Sequence, residues 1–278
     1  MNSFNAPLPK VAAIHDISGY GRCALTVIIP TLSAMGIQVC PVPTAVLSSH
    51  TGGFDGYTFL DLTDQFAPYA NHWQTMDLKF DCIYSGFLAN ATQISLVSDF
   101  IDKFGKNMPI IAVDPVMGDN GEIYKTYCDE LCSGMKSLVR KANLITPNIT
   151  EATYLTSTPY KPEYSREQAY EIVKKLMEYG CKQIVITGIM YQNTINTVYC
   201  DNGNMGIITN PHINKNYPGT GDIFSSCLIG KILSGESLQN AAGFASEFIL
   251  MLIEESSRFD YPEREGVLLE KYLHYLLK

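Results

Sequence analysis

No GxxxxGK[ST] stretch occurs in the 278 residues, which excludes the phosphate loop of the P-loop nucleotidases. No apolar run is long enough to cross a bilayer, and there is no internal repeat or low-complexity segment. Basic residues are scarce: 20 Lys and Arg stand against 28 Asp and Glu, a net charge of −8. A nucleic-acid or anionic-membrane partner is therefore not expected, and an anionic substrate would have to be held by local amides and a metal ion. Eight cysteines are present but no CxxC pair. Cys128 and Cys132 could share a helix face, yet without nearby histidine they carry little zinc signal. Thiols buried in a reducing cytoplasm are the expectation. Met1–Lys10 is polar, holds two prolines and has neither a charged n-region nor an apolar core, so no secretory leader is expected there.

What the chain does have is apolar content, 46% against 17% charged, enough for a sizeable ordered core. Short β-like runs alternate with helical patterns. Strands are expected at Lys10–Ile17, Ile37–Val42, Asp81–Tyr84, Pro109–Val113, Asn143–Ile145 and Gln183–Ile186. Helices are expected at Arg22–Met35, Thr92–Phe104, Asp129–Arg140 and Arg166–Tyr179, then near Leu238–Glu254 and Pro262–Leu277. Asn193–Cys200 and Met205–Thr209 flank the turn Asp201-Asn202-Gly203, which reads as an antiparallel hairpin at the edge or as a flap. No long linker divides the chain. One α/β domain over residues 1–278 follows, with a mostly parallel sheet and helices on both faces. Ligands in such sheets sit beyond the carboxyl ends of the strands.

Polar residues collect at those ends. Asp16, Ser18, His50 and Thr51 follow the first two strands; Phe87, Asp114 and Asp119 follow the next two; Asn148, Glu151 and Thr187 follow the last two. Asp114-Pro115 is either a turn initiator or a ligand for metal or phosphate. Asn148 and Glu151 are spaced either as a capping box or as part of a Mg²⁺ site. His50 is either a hydrogen-bonded structural residue or part of a pocket. Gly19-Tyr20-Gly21 lacks the third glycine and the following acid of a dinucleotide fingerprint, which argues against a nicotinamide oxidoreductase. The most informative stretch is Gly219-Thr220-Gly221-Asp222, a glycine-rich turn opening an apolar helix. It offers free N–H groups and the positive end of a helix dipole to an anion, or it is simply a turn capped by Asp222.

Gly219-Thr220-Gly221-Asp222 at a helix start resembles the signature of ribokinase-like kinases. Val46–Gly52, Tyr84–Leu88, Val113–Asp119 and Ile145–Glu151 are similar, in order, to motifs of the pyridoxal kinases. The resemblance implies a ribokinase-like fold and ATP-dependent phosphorylation of the 5′-hydroxymethyl group of pyridoxal, pyridoxine or pyridoxamine. It implies Mg²⁺, a monovalent cation such as K⁺, a homodimer and a cytoplasmic location. Asp222 would be the general base, and Gly219, Thr220 and Gly221 the anion hole. Asp16, Ser18, His50, Thr51 and Phe87 would face the ring. Asp114 and Glu151 would serve the metal, with Asp119, Asn148, Thr187, Gly219 and Gly221 also on the ATP side. An aspartate at a helix N-terminus would stay ionised and could accept the proton. Asp16–Gly21 looks closer to the hydroxymethylpyrimidine kinases, and Phe87 stands where pyridoxal kinases often carry tyrosine. The alternative is therefore a hydroxymethylpyrimidine (phosphate) kinase; a degenerate B6-binding sensor is a further one, against which Asp222 argues.

Overall fold

The computed structural model describes residues 8–106, 108, 110–124 and 127–277. The first seven residues of the polar N-terminal stretch, and Pro109 at the start of an expected strand, lie outside them. Chain order is β1 (Lys10–Ser18), α1 (Leu25–Ala34), β2 (Gln38–Leu47), β3 (Phe59–Asp61), α2 (Thr63–Thr75), β4 (Cys82–Ser85), α3 (Ala91–Phe104) and β5 (Ile110–Val113). A small hairpin follows, β6 (Gly118–Asp119) and β7 (Glu122–Ile123), then α4 (Asp129–Val139), β8 (Leu144–Ile145), α5 (Ile149–Leu155) and α6 (Arg166–Met177). The chain continues through β9 (Gln183–Tyr191), β10 (Thr194–Asp201), β11 (Asn204–Pro211), α7 (Thr220–Leu233) and α8 (Leu238–Ser256).

Nine strands form one sheet in the order β11-β10-β9-β8-β5-β4-β1-β2-β3. Its centre, from β2 to β9, is parallel, and antiparallel pairs flank it on both sides. The residues of β1 explain the layering. Val11 and Ala13 point into one apolar cluster, with α1, α7 and α8, while Ala12 and Ile14 point into the other, with α2 to α6. A strand covered on both faces needs a continuous apolar run rather than an alternating one, and Val11–Ile14 is such a run. The expected mostly parallel α/β architecture is thus the observed one. The expected hairpin is β10–β11, turning through Asn202 and Gly203, both at positive φ, and it forms the sheet edge.

Four expectations need correction. Helix α1 starts at Leu25, not Arg22, because Ala24 precedes it at φ 52°, ψ −137°. Residues 54–80, where the sequence pattern predicts no element, contain β3 and α2; only Phe66 and Ala70 of α2 are buried, so its apolar stripe is too narrow to read. The hairpin β6–β7 is likewise an addition, whereas α5 starts at the Asn148 cap that the Asn148–Glu151 spacing offered. Pro262–Leu277 is not a helix but three short 3₁₀ turns, Glu263–Glu265, Leu269–Lys271 and Leu273–Leu277. The carbonyls a helix would need there are used elsewhere: Arg264 O accepts from His50 Nε2 and Glu265 O from Arg22 N. The segment works as a strap that ties the loops after β1 and β2 together. Among the described residues no helix is long and apolar enough to cross a membrane.

Far from these loops, α6 is closed by a capping box in which Ser165 Oγ accepts from Gln168 N and Gln168 reaches back to Ser165 N. Ser165→Ala should cost about 1 kcal/mol of stability. Thermal unfolding should show a midpoint lower by a few degrees, with kcat/KM unchanged.

Candidate active site

Helix α7 begins in an unusual way. Its N-cap is Gly219 in the left-handed region (φ 80°), and a Cβ there would lie 2.0 Å from Arg22 O. Only glycine fits both the dihedral and the space. The expected capping role of Asp222 is not observed. Asp222 lies in the first turn, and its Oδ2 accepts from Ala24 N at 2.8 Å and from Cys23 Sγ at 3.5 Å. The first-turn N–H groups of α7, at Thr220, Gly221 and Asp222, have no intrahelical acceptor and open toward the same space. A Cβ on Gly221 would meet nothing within 4 Å. The two glycines therefore differ: Gly219 is required by the fold, and Gly221 leaves room.

That room is a cavity of about 430 Å³ at the carboxyl edge of the sheet. Every residue singled out from the sequence lines it: Asp16, Ser18, His50, Thr51, Phe87, Asp114, Asp119, Asn148, Glu151, Thr187, Gly219, Thr220, Gly221 and Asp222. The juxtaposition expected of Asp16, Ser18, His50 and Thr51 holds. At the far end Thr197, Ser246, Ile249 and Ile253 add a partly apolar wall from β10 and α8.

The detail divides these residues by what they have left to offer. His50 Nε2 is 2.7 Å from Arg264 O and its Nδ1 accepts from Gly52 N, so both nitrogens serve the loop and the ring surface alone faces the cavity. Asn148 caps α5 by accepting from Glu151 N, and its amide donates to Gly118 O. The capping box is formed: Glu151 Oε2 accepts from Asn148 N and Oε1 from Met117 N. Glu151 thus pins the turn after β5 to the start of α5, and only its remaining lone pairs could serve a ligand. Ser18 Oγ donates to Asp16 Oδ2 at 2.9 Å, and Ser225 Oγ faces Asp114 Oδ2 at 3.4 Å.

Carboxylates dominate the electrostatics. Burial raises Asp222 above its ordinary range, opposing the helix-terminus effect; burial and the Asp222 charge raise Asp114, and burial and the Asp114 charge raise Glu151. Burial lifts Asp16 to about 6. In an acidic chain such a cluster favours a cation. Among the described residues no three His, Cys, Asp or Glu side chains form a complete metal cage. The hard oxygens of Asp114 and Glu151 fit Mg²⁺, which takes one or two carboxylates and completes its shell with water and phosphate oxygens. Lys215, paired with Glu263 at 2.7 Å, also lines the cavity.

The phosphomethylpyrimidine kinase family model matches residues 28–265. The chain belongs to that family. A solved structure from Bacteroides thetaiotaomicron, described as a phosphomethylpyrimidine kinase, is 41% identical with a TM-score of 0.94, covering 98% of this chain and 95% of that one. A second crystal form of it, 42% identical with a TM-score of 0.93 and covering 97% and 96%, was obtained with pyridoxal. Among curated relatives, a hydroxymethylpyrimidine/phosphomethylpyrimidine kinase of Bacillus subtilis is 28% identical over 89% of this chain and 90% of its own length. A pyridoxal kinase of Dictyostelium discoideum is 27% identical over 80% and 78%. This chain is a kinase of the pyridoxal kinase type, and ATP is the co-substrate that such a kinase implies.

Three residues that hold carboxylates of the site were missed in the sequence. Cys23 and Ala24 hold Asp222, and nothing in their identity signals it, since the strained dihedral of Ala24 leaves no trace in composition. Ser225 was legible in principle, as a polar residue on the buried face of an apolar helix.

Thermal unfolding separates the two glycines. Gly219→Ala should destabilise by at least about 1–2 kcal/mol, the left-handed cost alone. Gly221→Ala should leave stability unchanged or slightly raised while lowering kcat. Asp16 gives a pH test. Its folded pKa of about 6 lies above the ordinary aspartate value of 3.8, so the fold binds the proton more tightly than the unfolded chain, and stability is lost as pH rises through that interval. Asp16→Asn should melt above the parent protein at pH 8 and close to it at pH 4.

Proposed function

We propose that the protein transfers the γ-phosphoryl group of ATP to the 5′-hydroxymethyl group of a vitamin B6 compound: pyridoxal, pyridoxine or pyridoxamine. The observation that carries the reading is the arrangement at the start of α7. A desolvated carboxylate, Asp222, and a run of uncommitted N–H groups face one cavity, as attack by an alcohol on a phosphoryl group requires.

In this reading Asp222 accepts the alcohol proton as the oxygen attacks. Its raised pKa makes it a stronger base than a surface aspartate. The amides of Gly219, Thr220 and Gly221 stabilise the charge that develops on the phosphoryl oxygens, already oriented before the reaction begins. Asp114 and Glu151 would hold Mg²⁺, which neutralises phosphate charge when bound. Asp119, Asn148 and Thr187 border the nucleotide. Asp16 and Ser18, joined by a hydrogen bond, meet the polar edge of the ring, and Thr51 and Phe87 bound its faces.

The pyridoxal crystallised with the Bacteroides relative supports the B6 substrate. A hydroxymethylpyrimidine acceptor is the second reading, favoured by the Bacillus subtilis relative. A panel of the three B6 vitamers and hydroxymethylpyrimidine, assayed with Mg-ATP, decides between them. The highest kcat/KM is expected with a B6 vitamer; a higher value with the pyrimidine would transfer the assignment. Asp222→Asn should lower kcat by about 10²–10⁴ without loss of folded stability. Near-parental turnover in that variant would return Asp222 to a structural role.

A further inference from the structure

Beside Asp222 lies His15, both of whose ring nitrogens are buried without a hydrogen-bond partner. His15 lies within β1, 1% exposed, with its ring edge-on to Tyr84 at 4.3 Å between centroids. The ring fills the space that Gly86 leaves, where a Cβ would come within 2.2 Å of it. The β1–β2 register shifts between His15 and Ile17, at the point where the consecutive residues His15 and Asp16 both come close to Asp222. A fold that buries an imidazole with no hydrogen bond bears a cost, typically offset by function.

The geometry points to one. His15 Nδ1 is 3.9 Å from Asp222 Oδ1, the oxygen that Ala24 and Cys23 leave untouched. We propose that His15 is a positioning residue for the base: its Nδ1–H donates to Asp222 Oδ1 as the site closes on substrate, fixing the carboxylate plane and favouring the ionised form. The proposal rests on Asp222 being the base. Burial holds the His15 pKa near 3, so the ring is neutral and has one proton to place. The Nδ1 tautomer is the one that directs it at an acceptor. Catalytic hydrogen bonds are often long or poorly aligned before substrate arrives and tighten in the reacting complex. The other titratable groups facing Asp222 are Asp16 on β1, Tyr84 on β4, Asp114 after β5 and Cys23 before α1. None of these is a cation, so His15 supplies a neutral donor on the Oδ1 side.

The test uses His15→Phe, which keeps the ring packing and removes the N–H. The variant should melt at or above the parent temperature, because two orphaned polar atoms are gone. Its kcat should fall about 10- to 100-fold, the range of a hydrogen bond to a charged group. The acid limb of kcat/KM should move up by about one to two pH units, since a carboxylate that loses a donor is more easily protonated. His15→Asn, whose amide can donate, should recover part of both. In an Asp222→Asn background His15→Phe should change nothing further. Parental kcat and an unmoved acid limb in His15→Phe would overturn the proposal, as would an equal loss in the Asp222→Asn background. If Asp222→Asn alone turns over normally, the base assignment falls; if it is impaired while His15→Phe is not, only the role of His15 falls. Nitrogen NMR of the parent ring gives an independent check that needs no variant. Protonated Nδ1 is expected, and protonated Nε2 would overturn the proposal.

Discussion

The site depends on one contact, between the Asp222 carboxylate and the N–H of Ala24. It joins the first turn of α7 to the entry of α1, two helices on the same face of the sheet. The contact requires Ala24 to sit at φ 52°, a conformation that costs a residue with a Cβ about 1–3 kcal/mol. A hydrogen bond to a buried carboxylate returns a comparable amount. The glycine at 219 belongs to the same joint, since its missing side chain lets α7 approach the Arg22 carbonyl. Strain on one side and close approach on the other fix the Asp222 carboxylate to within a narrow set of positions.

Around that joint the loops are held from outside. Glu263 accepts from Asn216 N and pairs with Lys215; Arg264 O engages His50; Glu265 O receives Arg22 N. One short segment therefore braces three stretches at one end of the cavity. On the opposite end the β6–β7 hairpin is held against the start of α5 through Asn148, Glu151 and Thr150. Each half of the cavity is thus rigid through its own set of bonds.

Much of this was legible in the sequence because it follows from patterns of short range. The parallel sheet follows from alternating apolar runs and helical spacing, and the site follows from the rule that such sheets bind at their carboxyl ends. The Asn148–Glu151 capping box was readable from three-residue spacing. The strap at 262–277 was not, since its turns are set by partners more than 200 residues away, such as Arg22 and His50. Ala24 was invisible for the same reason: its dihedral is imposed by Asp222, 198 residues along the chain. His15 stood as a polar residue inside an apolar strand, but its relation to Asp222 depends on a register shift that residue types do not announce.

The carboxylate cluster connects stability to chemistry. Asp16, Asp114, Glu151 and Asp222 are each raised by burial, so the fold favours their protonated forms and ionising them costs stability. The hydroxyls of Ser18 and Ser225 moderate that cost, and Lys215, which lines the cavity, is paired with Glu263. A ligand bringing positive charge relieves that penalty on binding, and the relief adds to its affinity. The same desolvation that makes the apo site costly raises the basicity of Asp222 and strengthens every dipole aimed into the cavity. The burial that costs the fold stability is thus the same burial that the proposed transfer step would use.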